Sequence, residues 1–212
     1  MSKLVRGIHH FETKVFAKKR ELFERLAKTG QSPETLFITC SDSRVVPNLI
    51  TSSDPGELFI VRNVGNCIGP VDLPGSTSAA LEYAVQVLNV DDIIVCGHTQ
   101  CGAMQAILDP ARLDALPYVK RWLRSTEHLR EIIEKHYAHL DAASRVDAAV
   151  EENVLVQLEN LRAFPFIAER LAAGKLTVSG WVYDIATGKV TAYEPDAGEF
   201  MPITGSIPPK PR

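Results

Sequence analysis

No run of residues in this chain approaches the length of about 20 apolar residues that a helix needs to cross a bilayer. An excess of charge of either sign is missing too. A formal net charge of -3 gives no electrostatic reason to expect nucleic acid or an anionic membrane as partner. The four cysteines, Cys40, Cys67, Cys96 and Cys101, are too few and too scattered for a disulfide framework. In a reducing compartment such residues serve as metal ligands, nucleophiles or core. The first twenty residues, MSKLVRGIHHFETKVFAKKR, lack the uninterrupted apolar centre and small-residue cleavage site of a secretory signal, so a cytoplasmic location is expected. No internal repeat is visible.

What is present is ordinary in amount and ordered in pattern. With 212 residues, 45% hydrophobic and 23% charged, the chain is expected to form a single domain over 1–212 with a substantial core. Leu4, Ile8, Phe11 and Val15, then Leu22, Phe23 and Leu26, recur at helical spacing, which predicts an amino-terminal helical arm over 1–30 ending at Gly30. TLFIT (35–39), ELFIVR (57–62) and DIIVCG (92–97) read as strands, and GSTSAALEYAVQVLN (75–89) as a helix. Helices are expected at 118–140, 145–163 and 165–173. A last strand follows within 176–193, with a hairpin partner around Ala186-Thr187-Gly188. Residues 201–212 read as an extended, proline-rich tail. Short apolar strands alternating with helices predict an α/β fold: a mainly parallel central sheet flanked by helices, with a carboxy-terminal antiparallel hairpin.

In such sheets, sites form beyond the carboxyl ends of the strands. That rule places the loop after FIT, opening with Cys40, beside GHTQCG (97–102). His98 and Cys101 form a His-x2-Cys pair that one short turn can aim at a single ion, and Cys40 would complete a set of three. Two thiolates and an imidazole suit Zn²⁺, and three protein ligands leave the fourth position open, the catalytic arrangement. Spacing alone leaves a Cys96/His98/Cys101 set open, although a cysteine inside IIVC is more simply a small core residue. Cys67 has no obvious ligand partner. His136 and His139, at i, i+3 on a charged helix, read as a solvated face. The motif CSDSR (40–44) is too short between Cys and Arg to form a phosphatase-type anion cradle.

CSDSR, PGELFIVRNVGN, EYAVQVLNVDDIIVCGHTQCGA and GWVYDIATG together resemble the β-class carbonic anhydrases over nearly the whole chain, most closely the bacterial and cyanobacterial relatives of the plant-type enzymes. The resemblance implies one Zn²⁺ per subunit on Cys40, His98 and Cys101, and reversible hydration of CO2 to bicarbonate and a proton by zinc-bound hydroxide. It further implies that Asp42 and Arg44 pair as a dyad, Arg44 holding the carboxylate away from the metal so that it orients the zinc water. Two thiolates put more negative charge on the metal than a three-histidine set, so better activity on the alkaline side is expected.

The same resemblance implies that Gln31, Phe59, Val64, Gly65, Tyr83 and Gly102 line the substrate pocket. Gln31, Phe59 and Tyr83 would reach in from a partner subunit, making a homodimer or higher even oligomer the working form. By pattern alone, Phe59 and Tyr83 read as core. A bicarbonate-regulated subgroup carries tryptophan where this chain has Phe37; Arg62 and Tyr183 stand at its other two effector positions, and a constitutively open site is expected. Two further readings compete. One keeps fold and metal but hydrolyses a linear substrate such as carbon disulfide; the other is a non-catalytic zinc-stabilised scaffold, against which the Asp42/Arg44 pair weighs.

Overall fold

A computed structural model describes residues 2–203; the rest of the expected tail, 204–212, lies outside the described residues. Six strands form one sheet in the order β2-β1-β3-β4-β5-β6. These are β1 Thr35–Cys40, β2 Leu58–Asn63, β3 Asp92–His98, β4 Thr177–Tyr183, β5 Val190–Glu194 and β6 Glu199–Pro202. The first four are mutually parallel and the last two antiparallel. β1 and β3 sit inside the sheet and are covered on both faces, which is why they read as near-continuous apolar runs rather than alternating ones.

One face carries the larger core, in which Leu36, Ile38, Ile93 and Val95 meet residues of the helices, among them Val150, Val154 and Leu158 of the long helix Ala142–Arg162. A Cβ on Gly180 in β4 would stand 2.7 Å from Val154 Cγ1, so the missing side chain lets this helix lie directly on the sheet. The opposite face holds Phe37, Ile94 and Cys96 with Trp181 and Tyr183. Phe37 meets Trp181 edge-on, with centroids 6.1 Å apart.

Three expectations about elements need correction. The helix expected over 118–140 is broken into Pro117–Leu123 and Leu129–His136 by a tightened turn, Arg124–Thr126. Ser and Thr are weak helix formers, and buried Thr126 uses its hydroxyl on the Cys67 thiol instead, at 3.6 Å. The helix expected over 75–89 is α-helical over Ser76–Glu82 and widens to a π-helical turn at Tyr83–Val87. Met201 and Pro202, assigned to the tail, belong to edge strand β6. The turn that sets β6 up is legible afterwards in EPDAGEF: Gly198 takes φ 71°, and Tyr193 and Phe200 pair across the strands. Its terminal proline obscured the strand, as prolines at sheet edges do.

The amino-terminal arm runs through Lys3–His10, a π-helical turn Phe11–Val15, Phe16–Lys18 and Arg20–Thr29, and stops at Gly30 with φ 76°. None of its helical residues is fully buried, and Leu4, Val5 and Ile8 remain exposed. Among the described residues no helix is long and apolar enough to cross a membrane.

Candidate metal centre

Cys40 closes β1 and His98 closes the adjacent strand β3, so parallel pairing alone brings the two to the same end of the sheet. After His98 the chain turns through Thr99 and Gln100, the latter in left-handed conformation at φ 57°. That turn returns Cys101 to the strand end, where it precedes helix Gly102–Leu108. One ligand atom from each of Cys40, His98 and Cys101 lies within 4.8 Å of the others, and all three residues are buried.

The electrostatics of this cluster suit a divalent cation. The Cys101 thiol hydrogen-bonds Cys40 and, with the nearby His98 imidazole, holds the Cys40 thiol below its ordinary value against the opposing effect of burial. Cys101 is pushed up as the donor in that same contact, with burial adding to the shift. His98 Nδ1 donates to Thr99 O at 2.9 Å in the tautomer that leaves Nε2 a lone pair. Nε2 is itself buried and has no hydrogen-bond partner. An orphaned imidazole nitrogen beside a thiolate and a thiol is a donor set that fits tetrahedral Zn²⁺.

Cys96 falls outside this group. It is packed among Phe37 and Ile94 on the other face, and burial pushes its thiol up to about 12. Although i and i+2 share a strand face, His98 is the last residue of β3, where the chain already turns away. Cys67 is likewise buried and pushed up to about 11 by that burial.

Asp42 and Arg44 form a bidentate pair: Nε donates to Oδ1 at 2.9 Å and Nη2 to Oδ2 at 2.8 Å. The Arg44 backbone N–H adds a third bond to Oδ1 at 2.9 Å. The guanidinium beside it holds the Asp42 carboxyl well below the usual carboxylate range, backed by that backbone bond. Oδ2 stands 3.9 Å from His98 Nε2, beside the three candidate ligands. Arg62 fixes the loop from below, donating to Cys40 O at 3.2 Å and Asp42 O at 2.7 Å. That bracing was missed in the sequence, where the one signal was an arginine inside the otherwise apolar strand LFIVR. Gln100, also missed, accepts from Arg44 through its side-chain and backbone oxygens at 3.4 Å each.

The remaining residues divide. Val64 directly follows β2, 40% exposed, its carbonyl accepting from Trp122 Nε1 at 2.8 Å. Gly65 has φ 78°, and a Cβ there would meet Ala103 Cβ at 3.0 Å; its backbone N–H reaches toward Cys40. Gly102 opens its helix with open space where a Cβ would stand. Phe59, by contrast, pairs with Leu36, four residues before the Cys40–Asn63 pair, hence about 13 Å back along the sheet. Its ring lies 6.0 Å from that of Tyr83, which is 44% exposed and so not the core residue its pattern suggested. Gln31 is exposed after the arm. Within one chain these three do not join the metal cluster.

A family model described as carbonic anhydrase matches residues 35–190. A carbonic anhydrase of Pseudomonas aeruginosa is 46% identical over 204 residues, covering 96% of this chain and 92% of the relative. The solved β-carbonic anhydrase CcaA superposes with a TM-score of 0.92 at 44% identity, over 96% of this chain and 92% of that one. One of two tetrameric β-carbonic anhydrases from the ascomycete Sordaria macrospora superposes with a TM-score of 0.82 at 30% identity, over 89% and 94%.

Proposed function

Because the chain belongs to the β-class carbonic anhydrases, and so to the carbonate dehydratase lyases, we propose that it hydrates CO2 reversibly with Zn²⁺ held by Cys40, His98 and Cys101. The observation that carries the reading is the pairing of three buried donors within 4.8 Å with a carboxylate clamped beside them. When bound, Zn²⁺ acts as a Lewis acid that makes hydroxide available near neutral pH.

The protein's own residues supply orientation. Asp42, kept ionised, accepts a hydrogen bond from the attacking water and so fixes its lone pair. Arg44 occupies both carboxylate oxygens and keeps Asp42 from becoming a ligand itself. The intact pair favours the open form expected from Phe37; Phe37 is fully buried against Trp181, and the Arg62 guanidinium is engaged on backbone carbonyls. Val64 supplies an apolar wall for a substrate without charge. Gln31, Phe59 and Tyr83 act in the site of a second copy, Gln31 donating to an oxygen of CO2 or bicarbonate. An even oligomer follows, and the Sordaria relatives described as tetrameric are in keeping with it.

Stopped-flow CO2 hydration by zinc-loaded protein at pH 7 and pH 9 tests the reading. Turnover at both pH values, faster at 9, is expected. No turnover at either pH with stoichiometric zinc would overturn it and favour the carbon disulfide or scaffold alternatives.

A further inference from the structure

The imidazole of His98 is oriented by one contact, the bond from Nδ1 to the carbonyl of Thr99, the next residue in the chain. A carbonyl orients a ring only as firmly as it is held itself. Thr99 is held at three further points, all on the segment where β4 turns into β5. Its N–H donates to Tyr183 O at 3.0 Å. Its hydroxyl donates to Asp184 Oδ1 at 3.3 Å and accepts from Ile185 N at 3.1 Å. A β-branched side chain with both hydroxyl roles used has a single rotamer open to it.

Asp184 is fixed in turn. Oδ1 also accepts from Ala186 N at 2.9 Å, and Oδ2 accepts from the Thr187 hydroxyl. Its own N–H donates to Lys189 O and its carbonyl accepts from Gly188 N, both at 2.9 Å, so its backbone is closed into the hairpin. The next residue after Thr99, Gln100, is left-handed at φ 57°. A peptide unit bounded on one side by a left-handed non-glycine residue stays in place only where its surroundings hold it.

We propose that Asp184 and the hydroxyl of Thr99 are positioning residues for the metal centre, locking the carbonyl that sets the tautomer and direction of His98. The role rests on the reading that Cys40, His98 and Cys101 hold Zn²⁺. It gives the IATG turn (185–188) a function beyond reversing the chain: it carries the outer support of a ligand made by β3. Bonds one step removed from a metal are worth about 10- to 100-fold in affinity.

The test compares Thr99→Val, which keeps shape and loses the hydroxyl, with Thr99→Ser, which keeps the hydroxyl, and with Asp184→Asn. Zinc release to a competing chromogenic chelator is measured, together with the visible absorption of the Co²⁺-substituted proteins and the melting of the metal-free forms. Thr99→Val, which keeps the carbonyl and loses only its support, is expected to release zinc about 10-fold faster, the low end of that range, and to shift the cobalt bands. Thr99→Ser should stay within about threefold of the parent on the same scale, and the metal-free Thr99→Val and Asp184→Asn proteins should melt only slightly below the parent, so that release is compared where every form is folded. Parent-like release and spectrum in Thr99→Val would overturn the proposal, as would equal damage in Thr99→Ser, which would assign the effect to packing. Should Thr99→Val not fold, Asp184→Asn is read in its place: faster release and shifted bands support the role, parent-like values overturn it. Failure of the parent itself to bind zinc would instead sink the metal reading on which the role rests.

Discussion

At the carboxyl ends of β1 and β3, the groups that shape the candidate centre are held by other groups of the same chain. Arg44 holds Asp42 through its guanidinium and its backbone N–H, Arg62 braces the loop, and Thr99 aims His98. About 13 Å back along the sheet, at the amino half of β2, Phe59 and Tyr83 form a ring pair with one member half in solvent, and Gln31 stands exposed between the arm and β1. Chemistry at the first place is assembled by local chain geometry: strand ends, one tight turn, and a carboxylate two residues from its arginine. The second place stands apart from that cluster within the chain. On the proposed reading, the metal centre would be complete in one subunit and its pocket only in two.

The largest effect should come from breaking this division directly. Cys40→Ser is expected to abolish hydration, and a Gln31→Ala/Tyr83→Ala double variant to impair it severely. Refolded mixtures of the two should regain activity, because hybrids would contain one site with both sets of lesions and one with neither. Hydration rates across a mixing series check this; no recovery would mean that the pocket residues act within their own chain.

Next in size is the dyad. Arg44→Ala should lower kcat about 10- to 100-fold with zinc content unchanged, as measured by stopped flow and metal analysis. Its pH signature follows from the shift. Asp42 has a lower pKa folded than unfolded, so its contribution to stability is present above the unfolded value, about 4, and is lost as the pH falls below it. The urea-midpoint gap between parent and Arg44→Ala should therefore be wider at pH 7 than at pH 3.

Smallest is Cys96→Ala. Cys96 is as buried as the ligands but lies on the other face, so zinc content and turnover should match the parent, with a stability loss of about 1 kcal/mol by urea titration. Loss of zinc in this variant would erase the boundary between ligand and core cysteine.

Much of the first place was legible from the chain. Strand-end logic put Cys40 beside His98 without a structure, because parallel strands carry their sites at one end. The short gap from His98 to Cys101 announced a turn. Pattern could not tell Cys96 from Cys40, since the decision rests on where β3 stops and the chain turns. Arg62 was not legible as a support because it bonds backbone carbonyls, and Gln100 because its bonds to Arg44 span 56 residues and depend on the turn after β3. Among the elements, β6 escaped because its apolar content is Phe200 and Met201 alone, and only pairing with β5 makes it a strand. The break at Arg124–Thr126 combines the weak helix propensity of Ser125 and Thr126 with a tertiary contact to Cys67, and only the first of these can be read locally.

The ligands of the candidate centre come from neighbouring strands but stand about sixty residues apart in sequence. One ion bound to both would act as a removable staple across a long loop. Unlike a disulfide, such an ion is held only where the site exists, in the folded chain, so its binding free energy would add directly to the stability of the native sheet. A chelator would then leave the ladder between β1 and β3 intact in the folded protein. What it would take away is the ion's hold on the two strand ends, and the loss would appear as easier unfolding of the metal-free protein.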